Sequence, residues 1–210
     1  MNNWEEINEK LTKTTEKIFD GYNLKSLSDY EKRNMIYDYL TKELSYDFDL
    51  LEKIYHAEVN KTPVTRNTIK ELKDVLDTNI GICNSISQYY KLLLEQVGIE
   101  AHCVICDDGT AVKHQLNLVY DKDNDFYSFD DVTSVIVKRG TKEDYFDYDR
   151  KQANSMEQGN VMLFNKDGFF LLPEPYISFL VGRQEGPTPN LEQMPDNIMS
   201  VKENNKKGKK

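Results

Sequence analysis

The stretch Gly81-Ile82-Cys83-Asn84-Ser85-Ile86-Ser87-Gln88-Tyr89-Tyr90-Lys91-Leu92-Leu93-Leu94-Glu95-Gln96-Val97-Gly98 decides the fold. Within it Ile86, Tyr90, Leu93, Leu94 and Val97 recur at i, i+4, i+7, i+8 and i+11, which lines one face of a helix. Asn79-Ile80-Gly81 reads as a turn before that helix, and Gly98 stands where a helix ends in a left-handed residue. Cys83 therefore opens the helix, where unpaired backbone N–H groups and the helix dipole favour an anion. Such a setting lowers a thiol pKa, and the thiolate is the nucleophilic form. Taken alone, a cysteine at a helix start is more often a small buried side chain.

Upstream of Cys83 the pattern stays helical. Trp4, Ile7, Leu11, Ile18 and Phe19 mark an amphipathic helix near the N-terminus. Ser28 and Glu31 have the form of a capping box, and Met35, Ile36, Tyr39, Leu40 and Leu44 follow as one face of a second helix. A third helix is expected from Phe48 to Ala57 and, past the break at Pro63, a fourth through Ile69, Leu72, Val75 and Leu76. Downstream of Gly98 the period changes to two. Strands are expected over Ala101 to Cys106, Val112 to Tyr120 and Phe126 to Val132, with turns at Asp108-Gly109 and around Asp123-Asn124. A further hairpin joins Val161 to Phe164 with Phe169 to Leu172 about Lys166-Asp167-Gly168. Helices first and an antiparallel meander after them make an α+β chain, with the Cys83 helix packed on the sheet. The expected divisions are an N-terminal helical arm over 1–25, one domain over 26–183, and a tail over 184–210 whose Pro, Asn, Gln and Lys content reads as disorder.

The 210 residues carry 27 Lys and Arg against 36 Asp and Glu, a formal net charge of −9. That field repels a phosphate backbone, so no nucleic-acid partner is expected. No stretch approaches the roughly eighteen apolar residues that span a bilayer, and Met1 to Asp20 contain no apolar signal core. A cytoplasmic protein with no membrane partner is the expectation. Three cysteines fit a reducing compartment better than a disulfide framework.

His114 shares its strand face with Leu116, Leu118 and Tyr120, and in the next strand Tyr127, Phe129 and Asp131 form the matching face. If the turn is the four residues Lys122 to Asp125, Leu116 stands opposite Asp131, and His114 is its diagonal neighbour at roughly 7–8 Å. A carboxylate at that position can fix the tautomer of an imidazole, as the third member of a catalytic triad does.

These blocks resemble a known family. Gly81-Ile82-Cys83 opening a helix, His114-Gln115-Leu116-Asn117 in a strand, and Asp131-Val132-Thr133 after an aromatic strand are similar to the Gly-x-Cys, His-x-Trp-Asn and Asp-x-Thr blocks of the transglutaminase-like superfamily, in the same order. The resemblance covers Asp29 to Thr133. It implies a papain-like thiol-enzyme fold with Cys83 as nucleophile, His114 as base and an aspartate that orients the base. Asp131 fits Asp-x-Thr and shares the His114 face, whereas Asp130 fits the spacing from Phe126-Tyr127; Asp131 is favoured. It also implies acyl transfer through a thioester on a peptide or protein substrate, resolved by water or an amine, with no cofactor and no metal. Leu116 stands where the family has Trp, and Asn84, Ser85 and Ile86 stand where it has small residues. The Cys83 backbone N–H is expected to be one oxyanion donor, and no upstream residue matches the second.

Two other readings compete. Cys103-Val104-Ile105-Cys106, with His102 adjacent, is a C-x-x-C pair of metal or redox type, but a second ligand pair is absent and strand positions three apart face opposite ways. The fold could also be kept as a binding scaffold with an idle centre. His56 reads as a surface residue, and the run Glu143 to Asp149 as a solvated face.

Overall fold

The computed structural model describes residues 3–62, 67–107, 113–123, 126–148, 160–165 and 168–172. The expected break at Pro63, the Asp108-Gly109 turn, Asn124, Lys166-Asp167 and the tail over 184–210 lie outside the described residues.

The architecture is α+β. Helix α1 (Asn3–Ile18) is followed by a 3-10 turn (Leu24–Ser26) and by α2 (Asp29–Glu43). Then come β1 (Ser45–Tyr46), α3 (Phe48–Val59), α4 (Thr68–Thr78), β2 (Ile80–Gly81) and α5 (Cys83–Gln96). The second half holds β3 (Ala101–Asp107), β4 (His114–Asp121), β5 (Phe126–Asp130), the short helices α6 (Val132–Ile136) and α7 (Lys142–Tyr145), and the hairpin β6 (Asn160–Asn165) with β7 (Gly168–Leu172). The five longer strands form one antiparallel sheet in the order β5-β4-β3-β6-β7.

Helix α5 occupies the centre because its apolar stripe meets the other helices while its opposite side bonds the sheet. Ile86, Tyr90, Leu93 and Leu94 have no solvent exposure and share a core with Ile7 and Leu11 of α1, Ile36, Tyr37 and Leu40 of α2, and Leu72 and Val75 of α4. Burying each large aliphatic side chain contributes about 1.5–3 kcal/mol, so this one helix anchors the helical layer. Its sheet side is polar: Asn117 Nδ2 donates to the Ser87 carbonyl at 2.9 Å, and Gln115 Nε2 to Ser87 Oγ at 2.7 Å. Gly98, at φ +81°, ends the helix, and the Ile99 N–H returns to the Leu94 carbonyl at 3.0 Å.

Several local expectations shift. The Ser28–Glu31 capping box is present, with the Ser28 N–H donating to the Glu31 carboxylate at 2.8 Å. The buried face of α2, however, is Arg33, Ile36, Tyr37 and Leu40, with Met35 and Tyr39 only half-buried at its margin. Trp4 is exposed, because the α1 stripe meets the core at Ile7 and Leu11, one turn further along. The Asn79-Ile80-Gly81 turn is more than a turn. Asn79 adopts the left-handed conformation (φ 58°), and Ile80–Gly81 then pair in parallel with Ser45–Tyr46. Strand β5 ends at Asp130 rather than Val132, because the Asp131 carboxylate caps α6 by accepting from the Ser134 N–H at 3.0 Å. The run Glu143 to Asp149 is not a solvated face throughout, since Phe146 and Tyr148 are buried.

A buried ion pair joins the two halves. Arg33 of α2 forms two bonds to Asp130 at the end of β5, Nε to Oδ2 and Nη2 to Oδ1, both 2.6 Å. Its Nη2 also donates to Ser128 Oγ at 2.7 Å, and its Nη1 to Asp147 Oδ1 at 3.2 Å. Asp130 further accepts from Tyr90 Oη of α5 at 2.6 Å and from the Asp147 N–H at 2.8 Å. Burial pushes the Asp130 carboxyl up, with the Arg33 charge as the largest opposing influence, and Asp130 in turn holds Arg33 charged against the same burial.

Removing one partner of such a pair strands the other without a counter-charge. Arg33→Met should destabilise the protein by about 3–5 kcal/mol, a fall in melting temperature of about 6–20 °C, measurable by thermal unfolding. Gly81 makes a second test, because a Cβ there would lie 2.6 Å from Ser85 Oγ and 2.9 Å from Val75 Cγ2. Gly81→Ala should cost about 1–3 kcal/mol in denaturant unfolding, although Gly81 needs no special φ.

Candidate active site

The site lies where the first turn of α5 meets the start of β4 and the end of β5. Cys83 is the first helical residue, buried, after the extended Ile82. The Ser85 hydroxyl bonds both the N–H and the carbonyl of Ile82 at 3.2 Å, which fixes how the chain enters the helix. His114 opens β4 and Asp131 follows β5, so the hairpin delivers both to the same end of the sheet.

His114 and Asp131 are directly bonded, Nε2 to Oδ2 at 2.7 Å, and both are buried. Asp131 is itself held from several sides. Its Oδ2 accepts from Ser134 Oγ at 2.5 Å, its N–H donates to the Tyr145 carbonyl at 2.8 Å, and its carbonyl accepts from Tyr37 Oη at 3.0 Å. On its other side the imidazole stands beside the Cys83 thiol, close enough for each group to shift the titration of the other. The three side chains thus form one chain from sulfur to imidazole to carboxylate.

Electrostatics follow from that contact. Burial is the largest influence on Cys83 and pushes its thiol up, yet the His114 hydrogen bond and charge, with the Gln115 backbone N–H, outweigh it and bring the thiol below its ordinary value. Burial pulls His114 down, but Asp131 by charge and hydrogen bond, and then Cys83, raise it well above the usual imidazole value. Burial likewise pushes Asp131 up, and His114 and Ser134 reverse the sign, so its carboxyl is lowered. A thiolate, an imidazolium and a carboxylate are therefore mutually favoured in a setting where each alone would be disfavoured.

Asp130, adjacent in sequence, turns to the helical layer and to Arg33; it makes no bond to His114. Cys103 and Cys106 lie within β3 in no disulfide, paired in register with Asn117 and His114 respectively, so they face opposite sides of the sheet. Burial pushes the Cys103 thiol up to about 11. Among the described residues no group of three or more His, Cys, Asp or Glu side chains is arranged to hold a metal ion, and no helix is long and apolar enough to cross a membrane. His102 pairs with Glu100 at 2.9 Å, and exposed His56 with Glu52 at 3.5 Å.

Two residues that matter to the site, one by setting its frame and one beside Cys83, carried no motif. Arg33 had a signal, since it precedes Ile36, Tyr37 and Leu40 at helical spacing and so is a charge on an apolar stripe. Tyr46, whose hydroxyl meets Cys83, had none, because a two-residue strand leaves no periodicity to read.

No family model matches the chain, and no curated protein matches it. Solved structures similar to it include the following two. The crystal structure of a TGase is 17% identical at a TM-score of 0.47, over 73% of this chain and 37% of its own. A candidate protease from Parabacteroides distasonis is 17% identical at 0.38, over 57% and 22%. The chain thus spans well under half the length of either, and a likeness at these scores identifies neither fold family nor chemistry.

Proposed function

We propose that the chain is a transglutaminase-like thiol enzyme that transfers or hydrolyses acyl groups at amide bonds of peptides or proteins. The observation that carries this reading is the alignment of three side chains, with His114 bonded to Asp131 and set beside the Cys83 thiol at the N-terminus of α5. A cysteine kept only for packing needs no such partner, and burial would leave its pKa high, as it does at Cys103.

In this mechanism His114 takes the Cys83 proton, and with Nε2 held by Asp131 the nitrogen left for the sulfur is Nδ1. The thiolate attacks the carbonyl carbon and the carbonyl π electrons move to oxygen, giving a tetrahedral oxyanion near the Cys83 backbone N–H. The C–N bond then breaks, the departing amine takes the proton from His114, and a thioester remains. Water or an amine, deprotonated by His114, attacks that thioester and releases Cys83. Asp131 is the positioning carboxylate and Asp130 a structural one.

Thiol reactivity against pH tests the reading before any substrate is known. With its pKa lowered, Cys83 holds more thiolate at a given pH than an ordinary thiol, so iodoacetamide should label it faster at neutral pH than a thiol that titrates at about 8.5. His114→Ala leaves burial as the dominant influence, so the thiol pKa should climb past that value and labelling at pH 7 should fall about tenfold or more. An unreactive Cys83 in folded, reagent-accessible protein would instead favour a binding scaffold with an idle centre.

The two aspartates should separate by readout. Asp131→Asn should move the labelling profile toward alkaline pH with a modest loss of stability. Asp130→Asn should lower the melting temperature and leave the profile of the folded protein unchanged, because its carboxylate faces Arg33. Equal effects of the two substitutions on the profile would sink the assignment.

A further inference from the structure

The parallel pairing of β1 with β2 sets Tyr46 level with Gly81, two residues before Cys83. Backbone bonds from the Ser45 N–H to the Asn79 carbonyl and from the Asp47 N–H to the Gly81 carbonyl, both 2.9 Å, hold this short strand on either side of Tyr46. The Tyr46 ring is half-buried and meets Phe48 edge-on at a centroid distance of 5.1 Å. Its hydroxyl lies beside Cys83, close enough to act on both the backbone N–H and the sulfur.

An acyl-transfer transition state needs donors aimed at the oxygen that becomes negative, and the N–H of the nucleophile itself is one of them. In the resting site the Tyr46 hydroxyl lies beside that N–H. A carbonyl oxygen that meets the Cys83 N–H therefore arrives next to the phenol, which has a proton to donate to the developing charge. Burial, followed by the Cys83 charge, pushes the phenol pKa upward, so its proton is retained for donation.

We propose that Tyr46 is a catalytic residue, the second donor of the oxyanion site, whose O–H turns to the incoming carbonyl oxygen and hydrogen-bonds the oxyanion beside the Cys83 N–H. This rests on the thiol acyl-transfer reading of Cys83 and His114. No proton leaves Tyr46 in the step; the O–H bond stays intact while the negative charge forms on the substrate oxygen and collapses back as the leaving group departs.

Two reactions at the same sulfur test it. Alkylation by iodoacetamide displaces iodide at a saturated carbon and passes through no oxyanion, whereas acylation by p-nitrophenyl acetate, followed by release of p-nitrophenolate, does. Rates are compared for the full chain and Tyr46→Phe on the alkaline plateau of each labelling profile, so that thiolate fractions are equal. Tyr46→Phe should acylate about 10²–10³-fold more slowly with alkylation retained. Acylation that is equal or faster in Tyr46→Phe overturns the proposal, the faster case marking Tyr46 as a plug. A parallel fall in both reactions overturns it as well, as does wild-type protein that alkylates at Cys83 but is not acylated. Absence of labelling below the ordinary thiol pKa in wild-type protein defeats the thiol-enzyme reading itself, and this proposal with it. If Tyr46→Phe fails to fold, 3-fluorotyrosine at position 46 keeps the ring and sharpens the donor. An unchanged ratio of acylation to alkylation in that variant overturns the assignment.

Discussion

The buried pair of Arg33 and Asp130 is the constraint on which the rest depends. A guanidinium and a carboxylate taken out of water each carry a desolvation penalty of several kcal/mol, and their attraction offsets it only when geometry is good and the remaining donors and acceptors are filled. Here they are: the fork is two-pronged, Ser128 and Asp147 take other Arg33 donors, and Tyr90 and the Asp147 N–H occupy the outer side of Asp130. The pair fixes α2, α5, β5 and the segment after α7 relative to one another. Because strand side chains alternate, a slip of β5 by one residue would turn Asp130 away from Arg33 and bury two unpaired charges. The register that satisfies Arg33 is the one that leaves Asp131, the next residue, free to turn toward His114. The geometry of the candidate site is thus set by a contact that touches none of its chemistry.

At the site the balance runs the other way. Desolvation is the largest single influence on Cys83, His114 and Asp131, and for each it opposes the charged form. Their mutual contacts, with those of Ser134 and the Gln115 N–H, reverse it for Cys83, His114 and Asp131. Hydrogen bonds from Ser134 hold the carboxylate, the carboxylate raises the imidazole, and the imidazole lowers the thiol, so each step depends on the one behind it. Such a series is strongly coupled, and effects of removing its members should not add.

Much of this was legible in the chain, for identifiable reasons. The α5 helix and the antiparallel strands after it are long enough for periodicity to be unambiguous, and the hairpin from β4 to β5 carries Asn117 opposite Asp130, the register that a four-residue turn requires. That register brought His114 and Asp131 together on paper. What escaped was short or long-range. Strands of two residues have no period, so the β1–β2 pairing and with it Tyr46 were invisible. The Asp130–Arg33 contact spans 97 positions, and choosing between two adjacent aspartates needed to know what each one met. The capping of α6 by Asp131 was missed because Val132-Thr133-Ser134-Val135-Ile136 is rich in β-branched residues and reads as a continued strand. The Ser134 hydroxyl and N–H decide otherwise.

The arrangement also bears on whether the centre is idle. A core that served packing alone would be at least as stable with apolar side chains at these positions, since buried ionisable groups contribute little or nothing net to folding. The ion pair of Arg33 and Asp130 has an architectural use in setting register. Asp131 has one too, as the cap of α6, but Cys83 and His114 have no equivalent: β4 and β5 are already in register through the backbone ladder, and α5 is already docked through its apolar face and the Ser87 bonds to Gln115 and Asn117. A buried thiol and imidazole coupled to that carboxylate are thus surplus to what the fold needs. Such local costs concentrate at functional sites, where pKa values are shifted for chemistry rather than for stability. That surplus, more than the motif, supports reading Cys83 as a working nucleophile.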